Sequence, residues 1–299
     1  MNIKRILTIL LFLVMNQGFA SPQSPDLLIY NGDTIGIYTL LLEEYFDQIR
    51  KTDDVEGKLF GLNFREGASL NCWRGYQAMF RIENNSLWLE QIASCNEYYY
   101  SDSIDVKESK RRISEIFGDK VVNGKVPVDW FSGNLSISKP DRKLLRWDGV
   151  FVRTFEEEIL IHFDKGEIKN IAEIKNYIDE PSRINRRYGD TLSNVVFKEI
   201  QEIKWKDTDR FDCSEVYLIR IGKNGLIKEV IMPEYQTEEQ IREYWDTKRE
   251  YNYCIRTLTK GLKNLKFDIV KNLEKPIEED IYIEIWFNDD GTIENWTDY

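Results

Sequence analysis

Histidine is almost absent from this chain: one, His162, in 299 residues. That excludes a histidine-based metal site, and no CxxC or HExxH stands in for one. A Ser-His or Cys-His catalytic pair has no nucleophile motif around it either. Within Ile159 to Asp164, His162 alternates with Ile161 and Phe163 and reads as a strand residue turned to solvent. A glycine-rich phosphate loop is also missing, so neither a cofactor nor a metal is expected. Proline is scarce, seven in all with no Pro-rich run, and a stiff extended spacer is therefore not encoded. The one strongly apolar segment, Ile6 to Met15, falls short of the roughly 20 residues that cross a bilayer. No transmembrane anchor is expected in the mature chain. Cations are the minority, 41 against 52 acids for a net charge of −11. That balance repels phosphate backbones and anionic lipid, so nucleic acid is not expected as a partner.

What is present begins with an export signal. Lys4 and Arg5 precede the apolar run, and Gly18-Phe19-Ala20 is a small-residue cleavage site, so Met1 to Ala20 reads as a secretory signal peptide. The mature chain is expected to be exported, periplasmic or secreted. Four cysteines in such a chain suggest two disulfides. Cys72 and Cys95 flank a hairpin (strand Cys72 to Ile82, turn Glu83-Asn84-Asn85-Ser86, strand Leu87 to Cys95) whose register sets them opposite one another. Cys213 and Cys254 remain, one at the start of a strand and one on the helix that follows.

A hydrophobic content of 42% with 13% aromatics fits globular material, and the length suggests two α+β domains. Residues 21–190 read as a strand-rich domain, with helical spacing over Ile37 to Ile49 and a helix from Val106 to Phe117 capped by Asp105. Residues 191–212 are a junction, within which Asn194 to Trp205 reads as one more strand or helix. Residues 213–299 spell one unit. Ser214 to Ile221 alternates as a strand, Asn224-Gly225 supplies positive φ for a tight turn, and Leu226 to Met232 returns. A helix follows with capping-box spacing at Thr237 to Gln240 and an apolar stripe at Tyr251, Cys254, Ile255, Leu258, Leu262 and Leu265. A third strand spans Asp280 to Asn288, and Asp290-Gly291 turns into a short tail.

Three segments carry a family likeness. They are Lys223-Asn224-Gly225 followed by Ile227-Lys228-Glu229-Val230, the helix exit Leu262 to Phe267, and Pro276 leading into Ile281-Tyr282-Ile283-Glu284-Ile285. The order hairpin, helix, strand with these residues resembles the C-terminal domain of TonB-type energy transducers. The resemblance implies a domain that receives an extended peptide by strand pairing at a sheet edge. In the N-terminal part, Cys72-Trp73-Arg74-Gly75-Tyr76 and Val128-Asp129-Trp130-Phe131-Ser132-Gly133 look like segments of uncharacterised exported bacterial proteins.

The reading that follows is a non-catalytic exported binding protein engaging a peptide or protein of the cell envelope by edge-strand pairing. Its candidate edges are the apolar strands of the C-terminal unit, with Glu215, Tyr217, Ile219 and Ile221 on one and Ile281, Ile283, Ile285 and Phe287 on the other. The alternative is an exported hydrolase of glycan or peptidoglycan using a carboxylate pair, motivated by acid runs such as Glu156-Glu157-Glu158, Glu278-Glu279-Asp280 and Asp289-Asp290.

Overall fold

Asn31-Gly32 follows one strand of the N-terminal half and Asn84-Asn85 another, each with positive φ at both residues. The computed structural model describes residues 22–49, 68–95, 97–100, 104–206, 211–245, 248–288 and 290–297; the expected signal peptide, Met1 to Ala20, lies outside them. In chain order the first elements are β1 (Asp26–Tyr30), β2 (Asp33–Ile37), α1 (Leu41–Ile49), β3 (Tyr76–Glu83), β4 (Ser86–Ser94), α2 (Glu97–Tyr100) and α3 (Val106–Phe117). They are followed by β5 (Val126–Pro127), β6 (Gly133–Ser138), β7 (Leu144–Trp147), β8 (Arg153–Phe155), β9 (Glu157–Asp164) and β10 (Glu167–Lys175). The remainder are β11 (Tyr177–Ile178), α4 (Gly189–Gln201), β12 (Glu215–Ile221), β13 (Ile227–Ile231), α5 (Glu238–Tyr244), α6 (Lys248–Leu262), β14 (Ile269–Asn272), β15 (Lys275–Pro276), β16 (Glu279–Phe287) and β17 (Ile293–Asn295). The fold is mixed α+β and rich in strand.

The chain divides into two compact units, residues 1–140 with 146–153 and 158–173, and residues 141–145 with 154–157 and 174–299. The first is built on a sheet of order β2-β1-β3-β4-β10-β9-β6, with β5 on β4. Asn31-Gly32 and Asn84-Asn85 adopt positive φ and turn the β1–β2 and β3–β4 hairpins, the conformation that matches the twist of paired strands. Leu41, Leu42, Tyr45 and Phe46 of α1, spaced as one helical stripe, and Ile113 and Phe117 of α3 bury themselves with Leu28, Phe80, Leu89 and Phe163 of the sheet. Asp105 caps α3 by accepting the Glu108 N–H.

The hairpin differs from its expected form at one end. β3 starts at Tyr76 rather than at Cys72, because Cys72 to Gly75 curl into a turn in which the Gly75 N–H donates to the Cys72 carbonyl. A bulge between Met79 and Phe80 then shifts the register. Cys72 is nonetheless bonded to Cys95, 23 residues on, and Cys213 to Cys254. Such crosslinks are compatible with the oxidising conditions an exported chain meets. Replacing Cys72 and Cys95 together by Ser is expected to cost the N-terminal unit about 3 kcal/mol, through the loop entropy returned to the unfolded chain. Amide exchange across β3 and β4 reads that cost, and unchanged exchange would show that the bridge constrains nothing.

The second unit carries a four-stranded antiparallel sheet of order β13-β12-β16-β17 and a smaller one of order β11-β14-β15. Leu192, Val196 and Ile200 of α4 and Cys254, Leu258 and Leu262 of α6 pack with Tyr217, Ile219, Ile283 and Ile285. Of the strand or helix expected at Asn194 to Trp205, the helix is what forms, and it starts earlier, at Gly189, and ends at Gln201. The single expected helix is two. Thr237 and Gln240 form a reciprocal capping box at the start of α5, but Trp245 is extended and ends it, buried against Tyr235 and Tyr251. The β12–β13 turn also differs. Only Gly225 has positive φ; the Asn224 side chain instead accepts the Leu226 N–H at 3.1 Å, and the Gly225 N–H donates to Gly222. The result is a longer turn with glycine in the left-handed position, not a two-residue one.

Candidate functional site

Alternation along β16 assigns its side chains to two environments. Ile281, Ile283 and Ile285 are buried in the core, while Asp280, Tyr282 and Trp286 face the other way and are exposed. On β12, Tyr217, Ile219 and Ile221 are likewise buried. Glu215 is half-buried and accepts from the Tyr235 hydroxyl at 3.0 Å; burial raises its carboxyl above the usual range despite that bond. Phe287 packs edge-on to Trp205, with ring centres 4.9 Å apart.

Both strands that the sequence offered as edges lie inside the sheet. Glu215, Tyr217, Ile219 and Ile221 belong to β12, which pairs with β13 over Leu218 to Ile221 on one side and with β16 along its whole length on the other, from Glu215 opposite Ile285 to Ile221 opposite Glu279. Ile281, Ile283, Ile285 and Phe287 belong to β16, paired with β12 and in part with β17. The apolar side chains that made these strands conspicuous are there to pack on the helices, which is a property of central strands as much as of edges. β13 and β17 form the margins of the sheet.

The margin at β17 is incomplete. β17 pairs only with Ile285, Trp286 and Phe287. One residue further back, Glu284 accepts the Trp296 N–H at 2.8 Å and donates to the Thr297 hydroxyl at 3.1 Å. By the two-residue period, the backbone groups of Tyr282 and Asp280 point to that same side, and among the described residues no strand pairs with them there. Beside this opening stands a ledge of large side chains: Tyr282 is 55% exposed, Trp286 44% and Trp296 39%, and the two tryptophans stack at 5.3 Å. Arg220 holds Asp280 at its end through paired contacts of 2.7 and 2.9 Å. These residues were legible in the strand as its outward positions; a Tyr and a Trp at solvent-facing places were the available signal.

The other residues singled out from the sequence are accounted for differently. His162 is exposed, and its Nδ1 lies 2.9 Å from Asn134 Oδ1. Glu156 pairs with Arg187 at 2.7 Å, Glu278 with Lys228 at 2.8 Å and Glu157 with Arg142 at 3.4 Å, while Glu158 is buried. Asp290 is engaged by Thr292, whose hydroxyl and N–H hold its carboxyl below the usual range, and Asp289 lies outside the described residues. A cavity of about 290 Å³ in the N-terminal unit has one lining carboxylate, Glu83, and Lys125 pairs with it at 2.8 Å. Among the described residues no group of three or more His, Cys, Asp or Glu converges as metal ligands would, and no helix is long and apolar enough to cross a membrane.

Comparison with protein-family models, with curated proteins and with solved structures finds no match to this chain.

Proposed function

We propose that the protein is a non-catalytic exported binding protein whose C-terminal unit takes an extended peptide of a cell-envelope protein along the outer edge of β16. The observation that carries this reading is the stretch Asp280 to Ile283, which no strand among the described residues covers on its outer side, lying next to the exposed ledge of Tyr282, Trp286 and Trp296. Main-chain hydrogen bonds to such an edge supply affinity, and alternate side chains of the incoming strand meet the ledge. The likeness to TonB C-terminal domains supports it further. A hairpin, then helices, then a strand placed beside the first strand of the hairpin is the order that the likeness implies.

Tyr282→Pro tests this directly. The Tyr282 N–H faces the open side, so proline removes an outward donor while leaving the ladder to β12 intact. Tyr282→Ala keeps the donor and removes only the ring. In crosslinking from envelope extract, the wild type is expected to capture a protein that Tyr282→Ala still captures weakly and Tyr282→Pro does not, at melting temperatures within about 3 °C of each other. Equal capture by the proline variant, or no capture by the wild type, would reject edge pairing here.

A further inference from the structure

A cavity elsewhere in the same unit has the opposite electrostatic character to the chain as a whole. It has a volume of about 850 Å³ and lies between α6 and the segment that follows α4. On α6 the lining residues Arg249, Tyr253, Arg256 and Lys260 fall at i, i+4, i+7 and i+11, one helical face opposite the stripe that packs in the core, and Gly261 lies on the flank between the two. At Gly261 any Cβ would overlap the Ile203 side chain; its absence lets residues 202–206 lie against the helix. That segment is then held in place: the Lys206 N–H donates to the Tyr253 hydroxyl at 2.9 Å, and the Trp205 indole donates to the Ile200 carbonyl at 3.3 Å. The far wall is Phe211, its ring 4.9 Å from that of Tyr253.

Among the described residues five cations border the cavity: Lys204, Lys206, Arg249, Arg256 and Lys260. Among the described residues none of them forms an ion pair; Arg249 lies 5.9 Å from the Phe211 ring, and the two acids of the wall, Glu199 and Glu202, bond to none of the five. In the same unit Arg183, Arg186, Arg187, Arg220, Lys228, Arg242 and Lys248 each have a carboxylate partner, while Lys198, Lys223, Lys263, Lys266, Lys271 and Lys275 form no ion pair among the described residues; what sets the five apart is that they gather around one cavity. In a chain with 52 acids to 41 bases, like charges gathered at one cavity repel one another in the free protein.

We infer that this cavity is a binding site for a compact organic polyanion, one carrying two or more phosphate or carboxylate groups. Arg249 and Arg256 lie about 10 Å apart along the helix and Arg256 and Lys260 about 6 Å, so a single small anion cannot meet all of them. The volume suits a small molecule. A long polyanion is disfavoured, because beyond the cavity it would meet the acidic surface of the chain. Tyr253, Asn252 and Thr257 give the ligand's uncharged part a ring face and hydrogen-bonding groups. This site is independent of the β16 edge.

Titration calorimetry of the full chain with tripolyphosphate and with citrate, at 0.1 M salt, tests it and separates the phosphate from the carboxylate source. At least one is expected to bind, more weakly at 1 M salt as the screening length falls from about 10 to about 3 Å. The double variant Arg256→Gln, Lys260→Gln is expected to bind at least tenfold more weakly, at an unchanged or higher melting temperature, because a like-charge cluster has been relieved. Lys271→Gln with Lys275→Gln, on β14 and β15, is expected to bind as the wild type does. The inference is overturned if neither anion binds, if the two double variants weaken binding equally, or if a single-stranded oligonucleotide binds through Arg256 and Lys260 more tightly than both anions.

Discussion

Gly225→Val is expected to destabilise the C-terminal unit by about 3 kcal/mol or more, lowering its melting temperature by roughly 10 °C. Gly225 has φ +77°, where a β-branched residue is strained, and the space a side chain needs is already taken. A Cβ there would overlap the Phe267 carbonyl oxygen and approach Arg183 Nη1 to 2.7 Å. Both groups are committed: the Phe267 N–H donates to the Gly225 carbonyl at 2.8 Å, and Arg183 donates to the Asn224 and Phe267 carbonyls at 2.9 and 3.1 Å. Valine would therefore pull the turn away from the segment that leaves α6. Lys223→Val, which alters an exposed neighbour in the same turn, should shift the melting temperature by no more than about 2 °C. Calorimetric melting of the two variants decides the matter; similar values would mean that the turn is not anchored on Phe267. Because β12 sets the register of β16, Gly225→Val should also weaken any capture at the open edge.

The second large effect is expected in the N-terminal unit, from Arg74→Met, and it should depend on pH. Asp26 is wholly buried, and burial raises its carboxyl to about 6, opposed by the Arg74 guanidinium 3.0 Å away and by the Ala78 N–H at 2.9 Å. Arg74 is itself buried, donates to the Ser24 carbonyl at 3.0 Å, and lies over the Tyr76 and Phe151 rings. A carboxyl raised above its unfolded value binds a proton in the native state that the unfolded chain has released. Stability from this group is therefore full below about pH 4 and falls as pH rises through 6. Methionine keeps the packing of the stem and removes the charge. At pH 8 the ionised Asp26 is left buried without its cation, a loss of about 3–5 kcal/mol. At pH 5 Asp26 carries a proton, and only the arginine's hydrogen bonds are lost, about 1–2 kcal/mol. Amide exchange in β1 and β3 at the two pH values measures the difference. Equal losses would show that Asp26 does not titrate in the fold.

Local signals in the chain reach a definite depth. The Asn84-Asn85 turn, the Asp105 cap and the Thr237–Gln240 box each depend on residues within a few positions of one another and read correctly from that neighbourhood, whereas at Asn224-Gly225 the place of the turn is legible and its form is not. The break at Trp245 was hidden because the apolar stripe of α6 begins only six residues later and masks the interruption. Between Asn194 and Trp205 the choice of helix over strand stayed open for another reason: the buried face of Gly189 to Gln201, Leu192, Val196 and Ile200, is narrow and set in a polar stretch.

The sequence by itself determined where the long alternating strands and the α1, α3 and α6 stripes lie, which side of each is apolar, and that the chain is acidic with a single histidine. Tertiary structure alone decided the order of the strands and the company each side chain keeps. A strand buried on one face alternates identically whether it lies at the centre of a sheet or at its margin, since the hydrogen bonds that distinguish the two lie in the plane and leave no mark on the side chains. Hence β12 and β16 read as edges until β13 and β17 were placed beside them. In the same way, Lys204 and Lys206 are brought to Arg249, Arg256 and Lys260 only by the packing of Ile203 on Gly261, a contact between residues 58 positions apart. Charge composition is additive along a chain, but a local field depends on distance in space, so a cationic cavity can sit inside an acidic protein without any trace in its sequence.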